Sequence, residues 1–197
     1  MLEDKFGDKD SGPEFIATWV RNYPRNKGLV KFTADLLNRK TSESFFYFAK
    51  SNTSVKGLIF DDALLFSNSS KRLLREEHNI GLTAILQGVF EVLGPAPSNI
   101  TEVRFTNNLM DDGILRNFLP SIYPHGRLIT LELSCNKLGD EVLEDISKMF
   151  SENLNLEEII LNNNKFGNTG SKHHLEIFLQ AFLLDLRNPQ KLDFSCN

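Results

Sequence analysis

Residues 128–140 read Leu-Ile-Thr-Leu-Glu-Leu-Ser-Cys-Asn-Lys-Leu-Gly-Asp, and residues 156–168 read Leu-Glu-Glu-Ile-Ile-Leu-Asn-Asn-Asn-Lys-Phe-Gly-Asn. Both follow the pattern Leu-x-x-Leu-x-Leu-x-x-Asn-x-Leu, in which other apolar residues can replace leucine. A further copy starts at Ile100, so the copies that start at 100, 128 and 156 are evenly spaced by 28 residues. Recurrence at a fixed period of this size is the signature of a repeat architecture.

Weaker copies extend the array in both directions. The copies that start at 27 and 55 have Asp35 and Ala63 where the others have asparagine, and a last copy starts at 189 and reaches Asn197. The longer intervals, from 55 to 100 and from 156 to 189, indicate insertions in loops. The sequence therefore predicts repeats over 27–197, with starts near 27, 55, 100, 128, 156 and 189 and an array that is C-terminally incomplete.

The residues ahead of the repeats have a different pattern. Pro13 follows Ser11-Gly12, as at the start of a helix, and an apolar stripe follows it. A terminal repeat needs a covering element for its last apolar face. The sequence therefore predicts an N-terminal capping helix over 11–26, preceded by a disordered segment over 1–10.

Each copy combines the two periodicities of regular structure. The first, fourth and sixth positions alternate as one buried face of a short strand, and apolar residues at helical spacing follow a turn such as Gly139-Asp140. One strand and one helix per copy predict an α/β fold in which the strands run parallel. The strands should form one wall of the array and the helices the other.

The repeated asparagine needs a physical reason, because a polar side chain in an apolar frame is costly unless it is hydrogen bonded. The chain turns sharply after each strand and leaves backbone N–H and C=O groups without partners, and an asparagine can bond to its own turn and to the adjacent one. We therefore interpret four asparagines as a structural ladder: Asn108, Asn136, Asn164 and Asn197.

The copies over 128–140 and 156–168 resemble the ribonuclease-inhibitor-like class of leucine-rich repeats. The resemblance is specific over 100–197, weaker over 27–99 and absent before 27. It implies a solenoid shaped as a horseshoe, with parallel strands on the concave face and helices on the convex face. Members of the class are mostly intracellular binding proteins, including ribonuclease inhibitor, sensors of innate immunity, tropomodulin and the CARMIL family of actin regulators. The uneven spacing near 167–172 resembles the CARMIL array more than the regular repeats of ribonuclease inhibitor.

Positions three, five and seven of each copy point away from the predicted core and are candidates for binding a partner. They are Gly57, Ile59, Asp61, Glu102, Arg104, Thr106, Thr130, Glu132, Ser134, Glu158, Ile160, Asn162, Lys191, Asp193 and Ser195. Three of these, Glu102, Glu132 and Glu158, are expected on adjacent strands, where neighbouring carboxylates favour a partner with a basic surface.

The alternative is an acidic strip that is merely solvated beside Arg104 and Lys191. Two apolar residues of the same set, Ile59 and Ile160, are candidate anchors for a protein interface, although single exposed apolar residues are also common.

Composition excludes several classes of partner. The chain has 22 Lys plus Arg against 26 Asp plus Glu, a net charge of -4, so no basic excess is available for nucleic acid. No stretch approaches the roughly 18 consecutive apolar residues of a membrane span, and the polar start does not resemble a signal sequence. We therefore expect a cytoplasmic protein without membrane insertion. Cys135 and Cys196 are expected on strands too far apart for a disulfide, and so as free thiols.

No catalytic motif is recognisable, and we expect neither a cofactor nor a metal ion. His173, His174 and Glu176 lack the spacing that would put two imidazoles on one helical face. The sequence thus favours a non-catalytic protein-binding module, and the resemblance implies a role in cytoskeletal or signalling regulation. The alternative is a GTPase-activating protein of the RanGAP type, for which Arg104 beside Asn107 and Asn108 is the arrangement to test. The C-terminal edge is either a fragment boundary or a site of self-association.

Overall fold

The structure is a computed structural model that describes residues 17, 20–32, 47–49, 52–61, 99–108, 110–122, 126–153, 155–167, 172–184 and 191–197. The segment predicted to be disordered, 1–10, lies outside these ranges. So do residues 11–16, 18 and 19 of the predicted capping helix, residues 62–98, which include the first loop insertion, and residues 168–171 of the second insertion. Of the predicted apolar stripe in that helix, Val20 is described and is 49% exposed.

Six short strands form one parallel sheet whose spatial order equals their order in the chain. The strands are β1 (Leu29–Phe32), β2 (Gly57–Asp61), β3 (Glu102–Thr106), β4 (Thr130–Glu132), β5 (Glu158–Ile160) and β6 (Lys191–Asp193). Each begins two residues after one of the repeat starts at 27, 55, 100, 128, 156 and 189. The repeat pattern in the sequence therefore coincides with the strand register in space.

A short helix, α1 (Tyr23–Asn26), precedes β1. Further helices follow β3, β4 and β5: they are α2 (Asp112–Ile122), α3 (Leu143–Glu152) and α4 (Lys172–Leu184), and a 3₁₀ turn (Asp140–Val142) leads into α3. Val142, which the sequence pattern includes in the helix of its copy, belongs to this tighter turn. The short α1 corresponds to the end of the predicted helix over 11–26.

One side of the sheet is buried under the helices. The fourth positions of the first five copies are fully buried and in register: Val30, Leu58, Val103, Leu131 and Ile159. At the sixth position the rings of Phe32, Phe60 and Phe105 stack at centroid distances of 4.8 and 4.9 Å. Phe118 of α2 meets Phe105 edge to face at 4.9 Å, which joins the helix layer to the sheet.

The four ladder asparagines each reach back to the preceding copy. Asn136 is buried, and its Nδ2 donates to the carbonyl of Phe105 at 2.7 Å while its Oδ1 accepts the N–H groups of Asn108 and Met110 at 3.0 and 3.1 Å. Equivalent Nδ2 bonds join Asn108 to Phe60, Asn164 to Leu133 and Asn197 to Leu161. The side-chain amides thus take over the backbone groups that the sheet leaves unpaired at the strand ends.

A second contact between copies runs in the opposite direction. The carboxylate of Asp112 accepts the N–H of Gly139 in the next copy at 2.6 Å, and buried Asp140 accepts the N–H of Gly167 at 2.5 Å. Because burial raises the pKa of Asp112 above its ordinary value, this acceptor is held at some electrostatic cost. The sequence pattern indicated a turn at these residues but not a bond between copies.

The residue before each ladder asparagine adopts a left-handed conformation. Asn107, Cys135, Asn163 and Cys196 have φ between 55° and 59°. Asparagine tolerates this region better than most residues. Both cysteines are free thiols, as expected from the sequence.

Candidate protein-interaction face

The side of the sheet opposite the helices, which we call the open face, carries positions three, five and seven of the copies. The strand register aligns the fifth positions into one row across the sheet. In order from β1 to β6, this row is Lys31, Ile59, Arg104, Glu132, Ile160 and Asp193. The third positions form a parallel row: Leu29, Gly57, Glu102, Thr130, Glu158 and Lys191.

Not every predicted binding residue is accessible. Thr130 is 9% exposed and Ser134 is 3% exposed, so these two side chains have little surface to offer a partner. Gly57 is also buried. Ile59, Asp61, Thr106, Ile160 and Asn162 are half-buried and Lys191 is exposed. Of the candidate residues, Gly57, Thr130 and Ser134 therefore offer a partner the least accessible surface.

Arg104 lies between two of the three predicted acidic residues. Its Nε donates to Glu102, and its Nη1 donates to Glu132 at 2.8 Å. Glu132 also accepts the hydroxyl of Ser134 at 2.7 Å. Burial lowers the pKa of the Arg104 guanidinium, but the hydrogen bonds and charges of the two carboxylates outweigh it and hold that pKa above its ordinary value. We call Glu102, Arg104 and Glu132 the central triad.

The third predicted acidic residue is also paired. The ammonium of Lys191 donates to Glu158, and this hydrogen bond and charge lower the pKa of the Glu158 carboxyl. The hydroxyl of Thr130 donates to the other oxygen of Glu158 at 3.3 Å. In β6 the carboxylate of Asp193 accepts the hydroxyl of Ser195 at 2.7 Å, which lowers the pKa of Asp193.

The predicted strip of three like charges is therefore an array of ion pairs. At the N-terminal end Lys31 pairs with Asp61 at 2.7 Å, so this pair and the pair of Glu158 with Lys191 each balance their charge. The central triad keeps one excess negative charge, and Asp193 adds a second. The carboxylates expected on adjacent strands are therefore paired with Arg104 and Lys191, and whether this face binds a basic partner or is only solvated stays a prediction.

Two residues of the open face also take part in the turns at the strand ends. The carbonyl of Asn162 accepts the N–H of Cys135 at 3.0 Å, and the carbonyl of Thr106 accepts the side-chain amide of Asn108 at 3.1 Å. The side-chain Oδ1 of Asn162 is buried and has no hydrogen-bond partner among the residues that the structure describes. At the seventh position the backbone carbonyl thus takes part in the turn, while the side chain lies on the open face.

A second charged cluster lies on the helix side. Arg116 of α2 donates to Asp145 of α3 at 2.9 Å and to the carboxylate of Glu141 at 3.2 Å. These bonds raise the pKa of Arg116. Because Arg116 joins two successive copies, this cluster resembles the central triad in composition but lies on the opposite side of the sheet.

Arg104, the residue named for a GTPase-activating role, is held by Glu102 and Glu132. The GTPase-activating alternative stays a prediction. Within the described ranges no three His, Cys, Asp or Glu side chains form a group that could hold a metal ion. Of the helices in these ranges, none has the length and apolar character needed to span a bilayer.

The predicted self-association concerns the edge of the sheet at β6. Leu192 and Phe194 are half-buried there, and Phe194 stacks on Phe166 at 4.9 Å. Self-association through this edge stays a prediction.

No protein-family profile matches the chain, and no curated protein sequence matches it. A similar solved structure is the tropomodulin C-terminal domain of Caenorhabditis elegans, with a TM-score of 0.56 and 14% sequence identity. The match covers 78% of this chain and 82% of that domain. At this identity the likeness concerns the fold: a mixed α/β structure with a parallel sheet, similar to the leucine-rich-repeat-like domain of tropomodulin.

Proposed function

We propose that this chain is a non-catalytic protein-binding module of the ribonuclease-inhibitor-like leucine-rich-repeat class, and that its open face is the binding surface. The finer shape in this proposal is a horseshoe whose concave wall is the open face. The observation that carries it is the contrast between the two sides of the same strands. On one side the fourth positions of the first five copies are fully buried, while the other side presents a row that combines half-buried isoleucines with an ordered array of ion pairs.

A protein interface of this composition has a physical basis. Hot spots of protein interfaces are enriched in tryptophan, tyrosine and arginine and lie in well-packed positions from which water is excluded. Charged pairs that are already ordered lose little conformational freedom when a partner binds. We place the protein in the cytoplasm, in keeping with its free thiols, and in cytoskeletal regulation, for which the similarity to the tropomodulin domain is the support.

Affinity capture with quantitative mass spectrometry tests the binding surface. We compare the wild type with Ile160→Lys, which adds a charge in the middle of the open face, and with Gln180→Lys, which adds the same charge to the exposed surface of α4. A bound protein should be lost with Ile160→Lys and retained with Gln180→Lys. Equal retention by all three proteins, with unchanged circular dichroism, would contradict binding through the open face.

The cytoskeletal assignment needs a direct measurement. The wild-type chain should co-sediment with purified actin filaments. Ile160→Lys should reduce the fraction of the chain that is bound, and Gln180→Lys should not. If no binding is seen at filament concentrations in the tens of micromolar, roughly the range of weak specific interfaces, the actin assignment is wrong, and the captured partners decide the function.

A further inference from the structure

The fifth-position row suggests which kind of partner segment the open face accepts. Ile59 lies beside Arg104 in the register, Arg104 beside Glu132, and Glu132 beside Ile160. Neighbouring strands lie about 4.8 Å apart, so three intervals separate the two isoleucines by about 14 Å along the row. The central triad lies between these two apolar positions.

The separation of the isoleucines distinguishes an extended segment from a helix. An extended chain advances about 3.4 Å per residue and alternates its side chains, so residues i and i+4 point to one side about 14 Å apart. On a helix the same distance corresponds to about nine or ten residues at 1.5 Å each, and at 100° per residue those side chains point in clearly different directions. Two apolar side chains that reach both isoleucines at once therefore belong to an extended segment that crosses the strands.

The charge between the isoleucines selects the residue in the middle of that segment. Residue i+2 points to the same side as i and i+4 and would lie over the gap between β3 and β4, where Arg104 and Glu132 meet. The triad there has two carboxylates and one guanidinium, whereas the pairs on either side of it balance. A single basic side chain at i+2 of the segment neutralises the one excess negative charge of the central triad.

One donor of the triad is left for the backbone of the segment. Nε and Nη1 of Arg104 are held by Glu102 and Glu132, while Nη2 makes no hydrogen bond to any residue that the structure describes. The guanidinium is thus fixed in place with a donor group available. A main-chain carbonyl of an extended segment is a neutral acceptor and fits a site whose charge is already negative.

Building on the proposed function, we infer that the open face binds an extended protein segment of the pattern apolar-x-basic-x-apolar, which lies across β2 to β5. Its apolar side chains contact Ile59 and Ile160, its basic side chain lies over the central triad, and a backbone carbonyl accepts a hydrogen bond from Arg104. The proposed partner is therefore recognised through a short linear motif and not through a folded surface.

Three displayed peptide libraries test the motif on the intact wild-type chain. The first has the pattern apolar-x-(Lys or Arg)-x-apolar, the second has Glu at the centre, and the third has the second apolar residue moved by one position so that it points to the other side. We expect the first library to be enriched about tenfold or more over the other two, which corresponds to about 1.4 kcal/mol of binding free energy. Equal enrichment of the three libraries, or enrichment of none, would overturn the inference.

A peptide selected from the first library then locates the site by fluorescence anisotropy. Ile59→Thr and Ile160→Thr keep a residue that favours strands and should each weaken binding several-fold. Glu132→Gln should weaken a lysine-centred peptide more than its glutamine-centred counterpart. The matched control is Glu141→Gln, which removes a carboxylate from the Arg116 cluster on the helix side and should leave the affinity unchanged.

The outcomes separate this inference from the proposed function. If the peptides bind the Ile59→Thr and Ile160→Thr variants as well as the wild type, the motif is not read by this row and the inference is wrong. If no peptide binds but Ile160→Lys still loses a captured protein, the partner is a folded surface; the inference is then wrong and the proposed function stands.

Discussion

The two faces of the sheet are made by alternate residues of the same strands, yet they are organised by different forces. On the buried face, apolar side chains of successive copies stack in register, as Phe32, Phe60 and Phe105 do. On the open face, charged side chains pair across strands, as Arg104 does with Glu132. The first kind of contact depends on the apolar surface area removed from water and the second on the positions of single atoms. Substitutions on the two faces should therefore differ in how much they change stability and in how that change depends on pH and salt.

The largest effect is expected in the middle of the buried face. Phe105→Ala removes a fully buried ring that touches Phe60 and Phe118 and should lower the free energy of unfolding by about 3–5 kcal/mol. Its neighbour Thr106 is half-buried on the open face, and Thr106→Ala should cost less than about 1 kcal/mol. Urea denaturation followed by circular dichroism measures both. Similar losses for the two variants would mean that the faces do not differ as described.

The next largest loss of stability is expected for the ladder asparagines at the strand ends. The loss should be larger for a buried asparagine than for an exposed one. Asn136→Ala leaves the buried N–H groups of Asn108 and Met110 and the carbonyl of Phe105 without this partner, and each such group costs about 1–3 kcal/mol. Asn197→Ala removes equivalent bonds at an exposed turn, where water can replace them. Urea midpoints should therefore fall clearly further for Asn136→Ala. An equal fall would show that burial does not set the strength of the ladder.

Two substitutions of Asp112 separate the role of its oxygen as a hydrogen-bond acceptor for Gly139 from the role of its negative charge. Asp112→Asn keeps an oxygen for the N–H of Gly139 and removes a carboxylate whose pKa is raised by burial, so stability should be kept or slightly increased. Asp112→Ala removes the acceptor and should cost about 1 kcal/mol. Thermal denaturation at neutral pH compares the two. A loss with Asp112→Asn as large as that with Asp112→Ala would show that the charge itself stabilises this contact.

The stability contributed by the ion pairs of the open face should depend on pH, whereas that of the apolar contacts on the buried face should not. The pKa of Glu158 in the folded chain is lowered below its ordinary value of 4.5 by Lys191. Ionised Glu158 therefore stabilises the fold above about that value, and this contribution is lost as the pH falls through the lowered pKa. Stability measured between neutral pH and pH 3 should fall less steeply for Glu158→Gln than for the wild type. Glu157→Gln, at an exposed neighbouring position, serves as the control, and identical pH profiles for Glu158→Gln and the wild type would contradict the pairing.

The smallest expected effect concerns the central triad. Arg104→Met removes two partly exposed ion pairs and should change stability by at most about 1 kcal/mol at moderate salt. The same substitution should weaken binding of the glutamine-centred peptide, because it removes the donor to the backbone carbonyl, and should increase the preference for lysine at the centre, because Glu102 and Glu132 lose their positively charged partner. A large loss of stability would instead make Arg104 a structural residue.

The buried face was predictable because its pattern repeats. Apolar residues at fixed positions of each copy specify which side of a strand faces the core, and they placed the six strands within the correct copies. The ladder asparagines were predictable for a related reason: a polar residue that recurs in an apolar frame needs a partner. The left-handed turn was a missed signal. Asn107 and Asn163 favour it, but Cys135 and Cys196 at the same position obscured the pattern.

The open face was not predictable to the same degree. Its residues vary between copies, and the sequence gives no account of which rotamer brings Arg104 between Glu102 and Glu132, or Lys191 to Glu158. The same holds for the bond from Gly139 to Asp112, which joins residues far apart in the chain through a backbone group.

The sequence by itself determined the period, the direction of the strands and the side that faces the core, because burial of apolar surface acts on whole patterns and tolerates differences in detail. The tertiary structure alone decided which charges pair, which predicted binding residues are covered and where a donor remains available. Those outcomes depend on distances of a few ångströms between side chains from different copies, and no single copy contains that information.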